Sequence, residues 1–184
     1  MAIDKIKNKS VLLVLFIGFA LNAFAQKGNT HFSLGVEAGP SLNWQSMGFP
    51  LQIAIPFKAY LGTGQRGQVI LRSGWHHFPN LARDLDQDVE SLTRTAVPLA
   101  FGYRHNFNSW YLEGSFGVAY DIIITRYKDP FEEPEGDISL EPHFSVEIGK
   151  SYPRLDMGLA FYNHGNAPFN IVFIGLKSLY RIKW

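Results

Sequence analysis

His143, Ser145 and Glu147 bring the three side-chain types of a serine hydrolase into one short segment. On a strand the three share a face, but residues two apart stand about 6.8 Å apart along it. That exceeds the hydrogen-bond reach of about 3.2 Å which proton transfer needs. A working triad would draw on neighbouring strands, so no catalytic residue is assigned. The run Trp75-His76-His77-Phe78 offers two imidazoles. Adjacent positions on a strand point to opposite faces, and no third ligand is evident. Two acidic groups, Asp84, Asp86, Asp88 and Glu90, then Asp129, Glu132, Glu133, Glu135 and Asp137, present oxygen ligands of the kind Ca²⁺ takes. Neither has the EF-hand order with its glycine, so solvated loop charge is expected. No metal and no cofactor are expected.

The remaining charges are more ordered. Glu37, Glu113, Asp121, Glu141, Glu147 and Asp156 supply acids, and Lys58, Arg72, Arg104, Arg154, Lys177, Arg181 and Lys183 supply bases. They fall on the face opposite the apolar one in segments that alternate with period two. Eight such segments cover 31–39, 51–61, 68–76, 96–105, 110–122, 138–148, 154–163 and 171–184. The second shows the pattern best, with Leu51, Ile53, Ile55, Phe57, Ala59 and Leu61 on one side. Period two over roughly ten residues is the signature of a strand, and the length suits a tilted membrane crossing. Connections 62–67, 106–109 and 150–153 are short, whereas 40–50, 77–95 and 125–137 are longer, and the fourth outer connection, 164–169, is shorter than those three. Short turns at one end and loops at the other predict an eight-stranded, antiparallel, up-and-down β-barrel.

Alternation alone does not say which face looks inward, since a soluble lipocalin-like barrel hides its apolar face. The opposite face decides. It is rich in small residues, among them Ser33, Gly35, Ala54, Gly74, Gly102, Ser115, Gly117, Gly149, Gly158 and Gly175. Glycine weakens a water-facing strand and packs nothing there, while a narrow filled lumen requires it. The apolar face is therefore expected toward lipid. Tyr103, Trp110, Tyr120, Tyr180 and Trp184 lie near strand ends on that face, where an aromatic girdle would sit. Facing charges are expected to pair across neighbouring strands and plug the lumen, as unpaired charge in a narrow interior is costly. Glu113 with Arg104 is the pair expected in the central hairpin.

Residues 1–25 read as a cleavable signal peptide, leaving 26–184 as the barrel domain. Lys5, Lys7 and Lys9 form a basic start, 11–21 an apolar stretch, and Ala23-Phe24-Ala25 a small-x-small site. The apolar stretch is shorter than the ~20 residues of a membrane-spanning helix. The chain carries a net charge of +1. Removing the three lysines and Asp4 leaves the remainder near neutral and slightly acidic, which argues against nucleic-acid binding. The absence of cysteine excludes disulfides, thiolate metal sites and a cysteine nucleophile within this sequence.

The segment Val97-Pro98-Leu99-Ala100-Phe101-Gly102-Tyr103-Arg104, a short turn, and Tyr111-Leu112-Glu113-Gly114-Ser115-Phe116-Gly117 resembles the central hairpin of the small outer-membrane "porin family" β-barrels of Bacteroidetes-type bacteria. The close, Gly175-Leu176 through Tyr180-Arg181, is similar to that family's ending, with Trp184 where Phe is usual. The resemblance implies a Gram-negative outer membrane, contact with its lipid and lipopolysaccharide, and insertion by barrel machinery through the C-terminal strand. It implies no activity. His164-Gly165-Asn166-Ala167 faintly resembles a segment of outer-membrane lipid A deacylases, but Gly165 and Asn166 stand where the serine belongs and Lys177 where a glutamate does. The expectation is a non-enzymatic structural, adhesive or surface-binding barrel. A deacylase-like hydrolase and a narrow porin-type channel are the alternatives.

Overall fold

The computed structural model describes residues 30–43, 48–80, 88–166 and 170–182. Eight strands follow one another: β1 His31–Pro40, β2 Leu51–Gly62, β3 Gly67–Pro79, β4 Val89–Phe107, β5 Trp110–Tyr127, β6 Glu135–Ser151, β7 Leu155–His164 and β8 Ile171–Ile182. Each pairs antiparallel with its sequence neighbour, and β1 pairs with β8 to close the barrel. Closure removes both sheet edges along the common barrel wall. The expected signal peptide and Trp184 lie outside the described residues.

The alternation of the sequence is realised with its apolar side outward. Leu99, Phe101, Phe116 and Leu176 are more than half exposed, while Lys58, Arg72 and Asp156 on the other face have no accessible surface. A water-soluble barrel buries these types the other way round. Inward glycines serve the large lumen side chains. A Cβ at Gly149 or Gly158 would meet the Tyr111 hydroxyl, and one at Gly175 would meet the Glu37 carboxyl group. At the β4–β5 connection only Asn108 and Ser109 separate the strands. Asn108 takes φ 58°, the left-handed conformation that asparagine tolerates in tight turns.

Strands β4, β5 and β6 outrun their neighbours. Much of the expected loops 77–95 and 125–137 is strand, with Thr93 paired to Ile124 and Ile123 to Asp137. The run of Ile122, Ile123, Ile124 and Thr125 is β-branched, and continued pairing satisfies backbone groups that a loop would leave to water. The β6–β7 pairing stops at His143, whereas β6 begins at Glu135. The long-loop end of the barrel therefore carries a three-stranded extension.

Candidate functional site

The site is the lumen, and its chemistry changes along the axis. Toward the short turns lies a guanidinium–carboxylate cluster. Arg104 Nη1 donates to Asp156 Oδ2 at 2.7 Å, its Nη2 to Ser151 at 2.5 Å and its Nε to Asn106 at 3.0 Å. Arg181 pairs with the other oxygen of Asp156. The Arg104 guanidinium also lies 3.7 Å over the Tyr111 ring.

The middle layer is bound across the barrel. Lys58 pairs with Glu113 and, at 2.7 Å, with Glu147, which also meets Lys177. Tyr60 and Tyr111 donate their hydroxyls to Glu113 and Glu147 at 3.2 and 3.1 Å. Arg72 donates to Ser145 at 3.0 Å and stacks over the Tyr162 ring at 4.0 Å. Tyr162 in turn donates to Glu37 at 2.6 Å. Buried ionisable groups are tolerated where partners and hydrogen bonds surround them in this way.

Toward the long loops the lumen turns aromatic. His143 Nδ1 and His164 Nδ1 are 3.1 Å apart, with His76 edge-on to His164. Phe78 and Phe173 pack on the His164 ring, and Phe49 joins the same buried cluster. Beyond it, Arg94 and Asp121 form a forked ion pair between adjacent strands.

Several side chains singled out in the sequence meet partners other than those expected. Arg104 and Glu113 are directly opposed across the hairpin, yet Arg104 goes to Asp156 and Glu113 to Lys58. Side chains stand perpendicular to a strand, so in a narrow barrel their tips converge on the axis and meet groups from the far wall. Arg154, expected inside, is exposed in the turn before β7 because β7 begins only at Leu155. Glu141 is half-buried on the β6 extension, and Lys183 lies outside the described residues. Glu37, Lys58, Arg72, Arg104, Glu113, Asp121, Glu147, Asp156 and Lys177 are all buried. Arg94 escaped notice because it fell in an expected loop. Tyr60, Tyr111 and Tyr162 occupy inward positions of their segments, and that parity is the signal by which they could have been found.

His143, Ser145 and Glu147 share the inward face but go to separate partners. Ser145 meets Ser115 at 2.6 Å and Arg72, Glu147 meets Lys58 and Tyr111, and His143 meets His164. His76 points in and His77 out, where it stacks on Trp75 with centroids 5.3 Å apart.

On the outer wall, Tyr103, Trp110, Tyr120 and Tyr180 are all about half exposed. Tyr103, Trp110 and Tyr180 sit toward the short turns. Tyr120 stands ten positions along β5 from Trp110. That is about 34 Å of strand, or about 24 Å of height at a 45° tilt, close to the ~25 Å apolar band of a membrane barrel. The ends differ in charge. The turns 63–66, 108–109 and 152–154 hold Arg66 and Arg154 and no acid. Among the described residues, the loop end holds Asp88, Glu90, Asp129, Glu132, Glu133, Glu135 and Asp137 against Arg126 and Lys128.

No family model matches the chain, and no curated protein matches its sequence. Solved structures do match its fold. Ail, the attachment invasion locus protein of Yersinia pestis, aligns at a TM-score of 0.63 with 12% identity, over 85% of this chain and all of that one. The N-terminal β-barrel domain of Pseudomonas aeruginosa OprF gives 0.57 and 8% over the same shares. A major outer membrane protein of Thermus thermophilus gives 0.51 and 16%, over 84% of this chain and all of that one. The chain has the fold of an eight-stranded outer-membrane β-barrel.

Proposed function

We propose that the protein is a plugged outer-membrane barrel of a Gram-negative cell that acts as a scaffold for its outward-facing strands and loops, in a structural or adhesive role and without enzymatic activity. The single observation that carries this is the lumen. Arg72, Tyr60, Tyr111, Tyr162, Lys58 and Lys177 fill it with side chains of 0–1% exposure. A water column would leave such groups accessible. The apolar outer wall supports contact with lipid, and the β4–β6 extension offers the surface on which a partner would act. Its β6 edge, which has no partner strand beyond His143 among the described residues, carries Glu135, Asp137 and Glu141, charges that discourage indiscriminate strand pairing. Ail has been crystallised with the heparin analogue sucrose octasulfate. The acidic loop end here would repel a polysulfate, so that ligand is not proposed for this chain.

The route to the membrane follows from the same reading. Export by the 1–25 signal peptide leaves Gln26 first, and the β8 strand directs insertion by the barrel machinery. The deciding experiment is conductance in planar bilayers, after fractionation and a heat-modifiability gel place the folded protein in the outer membrane. The expected result is no steady current. Stable single-channel openings of the wild type would replace the scaffold with a channel. N-terminal sequencing of the mature protein checks the cleavage site.

A further inference from the structure

Among the described residues, the short-turn mouth of the lumen is open, unlike its centre. A cavity of about 410 Å³ enters there, walled by Arg66, Arg104, Arg181, Gln68, Asn106 and Ser151. Three guanidiniums meet it, and the carboxylate beside them, Asp156, is shared by Arg104 and Arg181. The cavity thus keeps an excess of positive charge. Arg104 is 1% exposed and its three bonds fix its plane. Arg181 keeps 13% side-chain exposure, so its guanidinium reaches the cavity it lines, while its Nε is shielded. Arg66 projects from the β2–β3 turn and is exposed.

We propose that this mouth is a phosphate-binding vestibule. The donors come from the β2–β3 turn, β3, β4, β6 and β8, so they surround a point rather than line one plane. A planar carboxylate satisfies a single fork, whereas the oxygens of a tetrahedral phosphate accept from several directions at once. The volume exceeds that of a bare phosphate, so a phosphate carried on a small alcohol fits. The same chemistry could come from soluble phosphate or from a phospholipid headgroup. Arg181 also borders a flank cavity of about 480 Å³ with Arg154, Tyr180 and Ile182, and the last two face outward. That the vestibule faces the periplasm rests on the orientation proposed above, whereas binding itself does not depend on it.

The test uses the refolded barrel in a non-ionic, phosphate-free detergent, titrated with inorganic phosphate and followed by the side-chain amide signals of Gln68 and Asn106 and the Nε–H of Arg181. Saturable shifts of all three are expected. Arg66→Gln should weaken binding about tenfold, the effect of losing one charged hydrogen bond, while Arg126→Gln at the opposite end should change nothing. Arg66 is exposed, and among the described residues only its backbone carbonyl is hydrogen-bonded, so loss of its side chain should leave the barrel folded. In phosphatidylglycerol nanodiscs, retained phosphate shifts would assign soluble phosphate. Signals already displaced and insensitive to added phosphate would assign the lipid headgroup. Absence of response in both settings, or equal loss on Arg66→Gln and Arg126→Gln, overturns the proposal. None of these readouts depends on conductance, so failure of the vestibule and failure of the plugged-barrel reading stay distinguishable.

Discussion

Lys58 on β2 donates to Glu147 on β6 at 2.7 Å. The two strands stand four places apart in a barrel of eight, so this ion pair spans the diameter. Lys58 holds Glu113 as well, and Lys177 approaches Glu147 from β8. The middle of the lumen is therefore cross-braced from wall to wall, in addition to pairs between neighbouring strands such as Arg94 with Asp121 and Arg181 with Asp156.

Lys58→Met should be costly for that reason. It leaves Glu113 and Glu147 to share Lys177 without their bridging ammonium. The loss expected for breaking a buried pair on one side is about 3–5 kcal/mol. Urea unfolding in lipid vesicles, followed by tryptophan fluorescence, measures it. Adding Glu113→Gln should recover part of the loss by removing the uncompensated carboxylate. A single-variant cost below about 1 kcal/mol would mean that water screens the site.

Leu112 and Phe144 test the outward face. Both are about half exposed on the wall, within the height bounded by Trp110 and Tyr120. Arginine at Phe144, level with Phe116 near mid-height, should cost about 2–4 kcal/mol in a bilayer, and at Leu112, two positions from Trp110, less. Spin labels there should report lipid by oxygen accessibility. Water contact at both positions would invert the barrel.

Gly175 tests the fit between wall and lumen. A Cβ there would stand 2.5 Å from Glu37 Oε1 and 2.7 Å from its Cγ. Gly175→Ala should push Glu37 aside and break its bond with Tyr162, at about 1–3 kcal/mol. In a Glu37→Ala background the same change should cost much less, because the obstructing side chain is gone. A double-mutant cycle reads this coupling. Additive costs would show that Glu37 is not what the glycine accommodates.

His143, Ser145 and His164 bear on the hydrolase alternative. Ser145 is held by Ser115 and Arg72, and the two histidines face each other. Purified barrel should release no fatty acid from lipid A or phospholipid. Fatty-acid release lost on His143→Ala or His164→Ala would establish an esterase.

The sequence by itself determined what is local. Period two marked all eight strands, the small residues opposite the apolar face pointed that face outward, and turn lengths distinguished the two barrel ends. These signals need only a residue and its near neighbours, because strand geometry repeats every two positions. Strand length at the loop end was less legible. Residues such as Thr93 and Ile124 pair because each has a partner strand beside it, and their solvated surroundings erase the alternation that marks a buried strand. The partners inside the lumen were decided only by tertiary structure. Arg104 and Glu113 oppose each other in sequence-legible register, yet Asp156 and Lys58 take them, because closing eight strands brings side-chain tips from distant walls together on one axis. His143 and His164 meet for a related reason. They lie on adjacent strands, and only the register of the folded ladder sets them opposite each other.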